Sequence, residues 1–157
     1  MRSRKVMRLR DGTPTDGDFV AALASRFVEH AVAGGHTREE VIVGTARALR
    51  RALASPREDV LFLIAEDERG ERCGFVYARM ERDYFTDEPT VHVEEVAATR
   101  SGEAIGSALM DAAEAWARAR GAASITLNVV EGNPANRLYD RRGYVLGNLH
   151  RVKRLTP

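Results

Sequence analysis

Cysteine is nearly missing from this sequence: Cys73 is the only one. A single thiol excludes an intramolecular disulfide and, in practice, a cysteine-ligated zinc site. Its place in a strand-like run favours a buried, inert thiol over a nucleophile. Lysine is almost as scarce, limited to Lys5 and Lys153, so nearly all positive charge is arginine. That bias, with abundant alanine, reads as genomic base composition rather than as phosphate binding. An excess of one charge is also lacking, because 24 Lys and Arg face 23 Asp and Glu and leave +1. Nothing in that balance supports a nucleic acid or a membrane surface as partner. No apolar run approaches the length of a membrane span. The stretch from Met1 to Arg10 is basic but has no apolar segment that would make it a secretory signal. A soluble, cytoplasmic protein is the expectation.

The chain has 157 residues, 44% hydrophobic and 30% charged, enough for one core and one domain over 1–157, with its folded part at about 5–156. A first strand is expected near Val6. A helix follows from Thr15 or Asp16, with Phe19, Leu23 and Phe27 at helical spacing. Thr37 and Glu40 form a capping-box pattern for a second helix that runs to about Ala54. Two strand-like runs flank Arg69-Gly70, a hairpin signal, and 89–98 is a third. A long helix is expected from Glu103 to Arg120, with Ile105, Ala108, Leu109, Ala112 and Trp116 on one face and Gly121 at its end. Ile125, Leu127 and Val129 alternate in a further strand. A short helix and one or two last strands close the chain. The order β-α-α-β-β-β-α-β-α-β implies an α/β fold. Its mixed sheet is mostly antiparallel, with one parallel strand-helix-strand unit and helices on both faces.

Three segments can carry chemistry. In "VHVEEVAA", 91–98, Val91 and Val93 alternate, and then Glu94 and Glu95 stand side by side before Val96. The period of two slips there, as at a β-bulge. A bulge can aim an N–H at a ligand carbonyl, and a carboxylate beside it can act as a base. The ordinary alternative is one solvated glutamate and one ion-paired glutamate. His92 is a conceivable proton shuttle, although a hydrogen-bonded strand histidine is the plainer reading. In "TRSGEAIGSALM", 99–110, a glycine-containing turn leads into a helix whose first N–H groups favour anions. Gly102 and Gly106 allow close backbone approach, and Arg100 adds charge. The pattern is neither a dinucleotide nor a P-loop fingerprint. In "NPANRLYDRRGY", 133–144, Asn133 is a good N-cap, Pro134 stands at the first helical position and Gly143 at the stop. Tyr139 near its middle is either a core aromatic or a hydroxyl that serves a leaving group.

In this order, over nearly the whole chain, the segments resemble the GNAT (general N-acetyltransferase) superfamily. The most specific stretch runs from Glu94 to Tyr144, "EEVAATRSGEAIGSALMDAAEAWARARGAASITLNVVEGNPANRLYDRRGY". The resemblance implies transfer of acetyl from acetyl-CoA to a primary amine, with no metal and no covalent enzyme intermediate. It implies that Glu94 or Glu95 is the base and that an N–H near Val96 polarises the thioester carbonyl. It places the cofactor along Val96, Ala97 and Ala98 and on Arg100, Ser101, Gly102, Ala104, Ile105, Gly106 and Ser107. Asn133 or Asn136 would contact it, and Tyr139 would lie near the sulfur. The family's loop reads Arg/Gln-x-x-Gly-x-Gly/Ala. Counted back from Gly106, those positions hold Ser101 and Ala104, and Arg100 stands one residue early. A non-catalytic acyl-CoA-binding module is the alternative. The acceptor is unspecified, and a homodimer is compatible with the pattern.

Overall fold

The computed structural model describes residues 7–100 and 104–156. Ser101 and Gly102, expected in the cofactor loop, lie outside the described residues, as does Val6. Strands β1 (Arg8–Asp11), β2 (Val60–Glu66), β3 (Arg72–Arg82), β4 (Pro89–Ala98) and β5 (Ser124–Leu127) form one sheet in sequence order. The first four are antiparallel neighbours, and β5 runs parallel to β4. The expected α/β class and mixed, mostly antiparallel sheet are what the chain adopts.

Helices α1 (Gly17–Ala22) and α2 (Arg38–Ala54) cover one face. There Val20, Leu23, Leu49 and Leu53 pack on Phe62, Ile64 and Phe75. Helix α3 (Ile105–Ala119) covers the other, with Leu109, Met110 and Ala113 against Val76, Ala78, Val91 and Val93. Helix α4 (Asn136–Arg141) adds Tyr139 to that second core. The capping box of α2 is present in both directions: Glu40 N–H donates to Thr37 Oγ1 at 3.1 Å, and Thr37 N–H to Glu40 Oε2 at 2.8 Å. Gly70, at φ +77°, turns the β2–β3 hairpin as the Arg69-Gly70 signal implies.

Four expectations need correction. The first helix is not continuous, because α1 is flanked by 3-10 turns at Pro14–Asp16 and Leu23–Val28. The α3 stripe is rotated from the expected one. Ile105 and Leu109 are buried as expected, but Met110, Ala113 and Ala117 complete the buried face, and Ala108, Ala112 and Trp116 are half-buried. Alanine is too small and too frequent here to define a stripe by itself. Strand β5 ends at Leu127, before Val129. Finally, no strand forms after α4 among the described residues, although the 144–156 segment is apolar enough to suggest one.

Candidate active site

The site lies where β4 loses one of its neighbours. Thr90 to Val93 pair with both β3 and β5; from Glu94 to Ala98 the partner is β3 alone. The slip read in the sequence is a real bulge, since Tyr77 opposes Glu95 and Ala78 opposes Val93, leaving Glu94 as the extra residue. An extra residue kinks the strand locally and twists it more strongly. Val96 and Ala98 then pack toward the α3 core, and Ala97 toward the other. All three are half-buried, and the backbone edge beside them has no partner strand among the described residues.

The two glutamates have different surroundings. Glu94 is ion-paired with the Arg79 guanidinium, which also holds Glu81 at 2.7 Å. Glu95 has no ion-pair partner among the described residues. Burial first, and the Glu94 charge second, push the Glu95 carboxyl up to about 8. Tyr139 is buried, and its phenol is raised by burial and then by the Glu95 charge, so the two side chains feel each other. Among the described residues the Tyr139 hydroxyl has no hydrogen-bond partner, yet no buried side-chain oxygen is left unpaired. Its tip therefore reaches solvent while its ring fills the core. His92 is not part of this group; its Nδ1 bonds Thr126 Oγ1 across the β4–β5 pair at 2.7 Å.

Helix α4 is tied down at both ends. Asn133 Oδ1 accepts from Ala135 N–H at 2.9 Å, and Asn136 Nδ2 donates to Asn133 O at 3.0 Å. The first turn is wound by i to i+3 bonds, so the regular helix starts at Asn136 and not at Pro134. At the far end Gly143, at φ +85°, lets Tyr144 N–H return to Tyr139 O at 3.0 Å. Tyr144 packs edge-on against Tyr139, and its hydroxyl donates to Glu114 Oε1 at 3.1 Å. Arg142 also reaches Glu114 and, at 2.6 Å, Asp111, both on α3. Sequence reading missed this clamp, because its partners are some 30 residues apart.

At the start of α3 stands Ala104, in the left-handed region at φ +59° and ψ 8°. A non-glycine residue there is strained. This is the position that departs from the glycine of the family pattern. Ile105 is buried, so its side chain serves the core and only its backbone faces the helix start. Gly106 and Ser107 are half-buried in the first turn. A Cβ on Gly106 would meet only Leu138 Cδ2 at 3.6 Å, an ordinary contact. Arg100 lies 3.6 Å from Asp67. Gly74 was not singled out in the sequence, yet a Cβ there would come within 2.8 Å of Ala97 O and 2.9 Å of Ile105 Cγ2. Its bareness lets the start of α3 sit close to the open half of β4. Among the described residues no cluster of His, Cys, Asp and Glu could hold a metal ion, and no helix is long and apolar enough to cross a membrane.

Residues 37–144 match the acetyltransferase (GNAT) family. The chain belongs to that family, and acetyl transfer is its class of chemistry. A putative acetyl transferase from Pyrococcus furiosus is 26% identical, covers 96% of this chain and 100% of its own, and superposes with a TM-score of 0.74. An aminoglycoside N-acetyltransferase AAC(6')-Iy in complex with CoA is 15% identical, with 98% and 97% coverage and a TM-score of 0.68. A glucosamine-6-phosphate N-acetyltransferase from Arabidopsis thaliana is also 15% identical, with 96% and 99% coverage and a TM-score of 0.67. Below a quarter identity these likenesses concern the fold. No curated protein matches this chain.

Proposed function

We propose that this protein is an N-acetyltransferase that moves the acetyl group of acetyl-CoA directly onto a primary amine of a small molecule or peptide. The observation that carries this reading is the unpaired half of β4, which brings Glu95 and Tyr139 together beside the start of α3. The residues fit an acyl-CoA. A free strand edge from Glu94 to Ala98 offers backbone groups to an extended amide-bearing arm, with a Val96 N–H near the thioester carbonyl. The first turn of α3 offers backbone N–H groups to phosphates. The bound CoA of one fold neighbour supports the same choice. Acetyl-CoA would supply an acyl group already activated as a thioester.

The amine must lose a proton to attack. An alkylamine with a pKa of ~10.4 is mostly protonated at neutral pH. A carboxylate raised to about 8 accepts that proton with a much smaller mismatch than one in the usual carboxylate range. We therefore assign the base to Glu95. Glu94, held by Arg79, keeps negative charge beside it. For Tyr139, transfer of its proton to a thiolate is already uphill, about 10 against about 8.5. Burial and the Glu95 charge raise the phenol further and make it steeper. Tyr139 is thus assigned as a hydrogen-bond donor to the sulfur, not as a full acid. Asn133 and Asn136 spend one side-chain group each on the chain itself, which leaves the Asn133 amide and the Asn136 carbonyl without a partner among the described residues and available to a ligand.

The test joins binding to turnover. Coenzyme A should raise the melting temperature, as any ligand of the native state does. Gly106→Asp, for which there is room, should remove that shift by setting a carboxylate beside the phosphates. Acetyl-CoA turnover with an amine panel then separates an enzyme from a non-catalytic acyl-CoA-binding module. A shift without turnover for any amine would support the module. An unchanged shift in a folded Gly106→Asp variant would move the phosphates elsewhere.

A further inference from the structure

Glu94 and Glu95 each have a tyrosine for a neighbour, and the two tyrosines belong to opposite faces of the sheet. Tyr139 packs in the α3 core. Tyr77 packs on the core under α1 and α2, stacked on Phe62 with ring centroids 5.4 Å apart, and Phe62 is stacked in turn on Phe75. The Tyr77 ring is thereby fixed, while its hydroxyl has no hydrogen-bond partner among the described residues. No buried side-chain oxygen is left unpaired, so this hydroxyl reaches solvent, as that of Tyr139 does. Residues two apart on a strand share a face, so Arg79 and Glu81 follow Tyr77 along β3 on the same side. Arg79 holds both Glu81, at 2.7 Å, and Glu94, the extra residue of the bulge. One guanidinium thus serves two carboxylates, and one negative charge is left over. Arg57 and Asp59, on the same side, cancel each other in a pair at 2.8 Å and 2.9 Å. One Glu94 oxygen takes the Arg79 Nε–H; the other has no hydrogen-bond partner among the described residues. Burial first, and the Glu94 charge second, raise the Tyr77 phenol, as expected of close neighbours.

We propose that Tyr77 and Glu94 form the acceptor subsite and select a cationic primary amine with no carboxylate beside its amino group. The inference rests on the acetyl-transfer reading, in which Glu95 is the base and the sulfur lies by Tyr139. The sulfur and the arm behind it take up the space on the Tyr139 side of β4. The amine then comes from the other face, past Tyr77 and Glu94. It arrives protonated. The surplus carboxylate charge beside the aromatic stack attracts it before Glu95 takes its proton. The free Glu94 oxygen and the Tyr77 hydroxyl oxygen both accept hydrogen bonds from an ammonium. A carboxylate on the carbon that bears the amino group would face Glu94 and be repelled. Arg79, already shared by two acids, does not compensate it.

Amines that share one carbon stem test this with the full chain and acetyl-CoA. Isopentylamine, leucinamide and leucine carry, beside the amino group, no substituent, a neutral amide and a carboxylate. For the first two, kcat/KM should exceed that for leucine by about tenfold or more. Tyr77→Phe keeps the stack on Phe62 and removes only the hydroxyl. It should raise KM for isopentylamine by about tenfold, with kcat, the melting curve and the melting shift caused by coenzyme A unchanged. Glu94→Gln should also raise that KM and narrow the gap between isopentylamine and leucine. A wild-type KM in Tyr77→Phe would overturn the subsite. Leucine used as well as isopentylamine would overturn the amine class, and so would turnover of none of these probes by a protein that coenzyme A stabilises. A wild type that coenzyme A does not stabilise would remove the acetyl-transfer reading itself, and this inference with it.

Discussion

Asp16 and Glu95 are two carboxylates withdrawn from water under opposite regimes. Asp16 is fully buried in the corner between β1 and α1, where Arg10 holds it at 2.8 Å and 2.9 Å. Arg72 lies 3.4 Å away, and Thr13 N–H donates to it at 2.9 Å. The Arg10 hydrogen bonds hold its carboxyl below the usual range despite burial. Glu95, on the open half of β4, has no such partner, and its nearest charge is the negative Glu94. A carboxylate with its partners satisfied is a fixture of the fold. A carboxylate pushed toward protonation costs stability when ionised, and such groups collect where a proton must move.

The largest expected difference is functional. Glu95→Gln should lower turnover by about 10²–10⁴-fold while the melting temperature holds or rises, because a poorly compensated charge is gone. Asp16→Asn should do the reverse, costing about 1–3 kcal/mol of unfolding free energy in denaturant titration while leaving kcat per folded molecule intact. Equal loss of activity and stability in both variants would erase the distinction.

Tyr139→Phe sharpens it next. The ring stays buried, and the hydroxyl has no described partner to lose, so stability should stay within about 0.5 kcal/mol. With a hydrogen bond to the sulfur removed, kcat should fall by about ten- to a hundredfold while CoA affinity holds. Wild-type turnover would return Tyr139 to the core alone.

The pH dependence separates the two carboxylates by sign. Glu95 binds its proton more tightly folded than unfolded, so stability falls as pH rises between about 4.5 and about 8. Asp16 binds its proton less tightly folded, so its contribution is present above its ordinary value near 3.8 and is lost as pH falls through its depressed one. Glu95→Gln should therefore flatten the slope from weakly acid to weakly alkaline pH, and Asp16→Asn the slope in strong acid. In wild type, kcat/KM should rise with pH and level off above about 8. The smallest effect belongs to Ala104→Gly. Release of left-handed strain, about 1–2 kcal/mol, is partly offset by glycine's extra chain entropy, so a gain of about 0.5–1 kcal/mol is expected by thermal unfolding.

Much of this was legible in one dimension. The slip at Glu94-Glu95 is a bulge, Thr37 and Glu40 cap α2 reciprocally, and Gly70, Gly121 and Gly143 all take positive φ at expected turns. Caps, turns and strand periods are set by residues within a few positions of one another. Composition and spacing therefore determined the α/β class and the order of elements from β1 to α4, while most of the candidate cofactor residues came from the resemblance to the GNAT superfamily. The choice between Glu94 and Glu95 was not local. It depends on Arg79, 15 residues away on β3, which ties up one carboxylate and leaves the other buried beside its charge. The clamp of α4 onto α3 and the bareness of Gly74 are likewise contacts between elements. The proton affinity of a side chain depends on the charges and dielectric around it in space, and those exist only once the sheet has paired and the helices have packed.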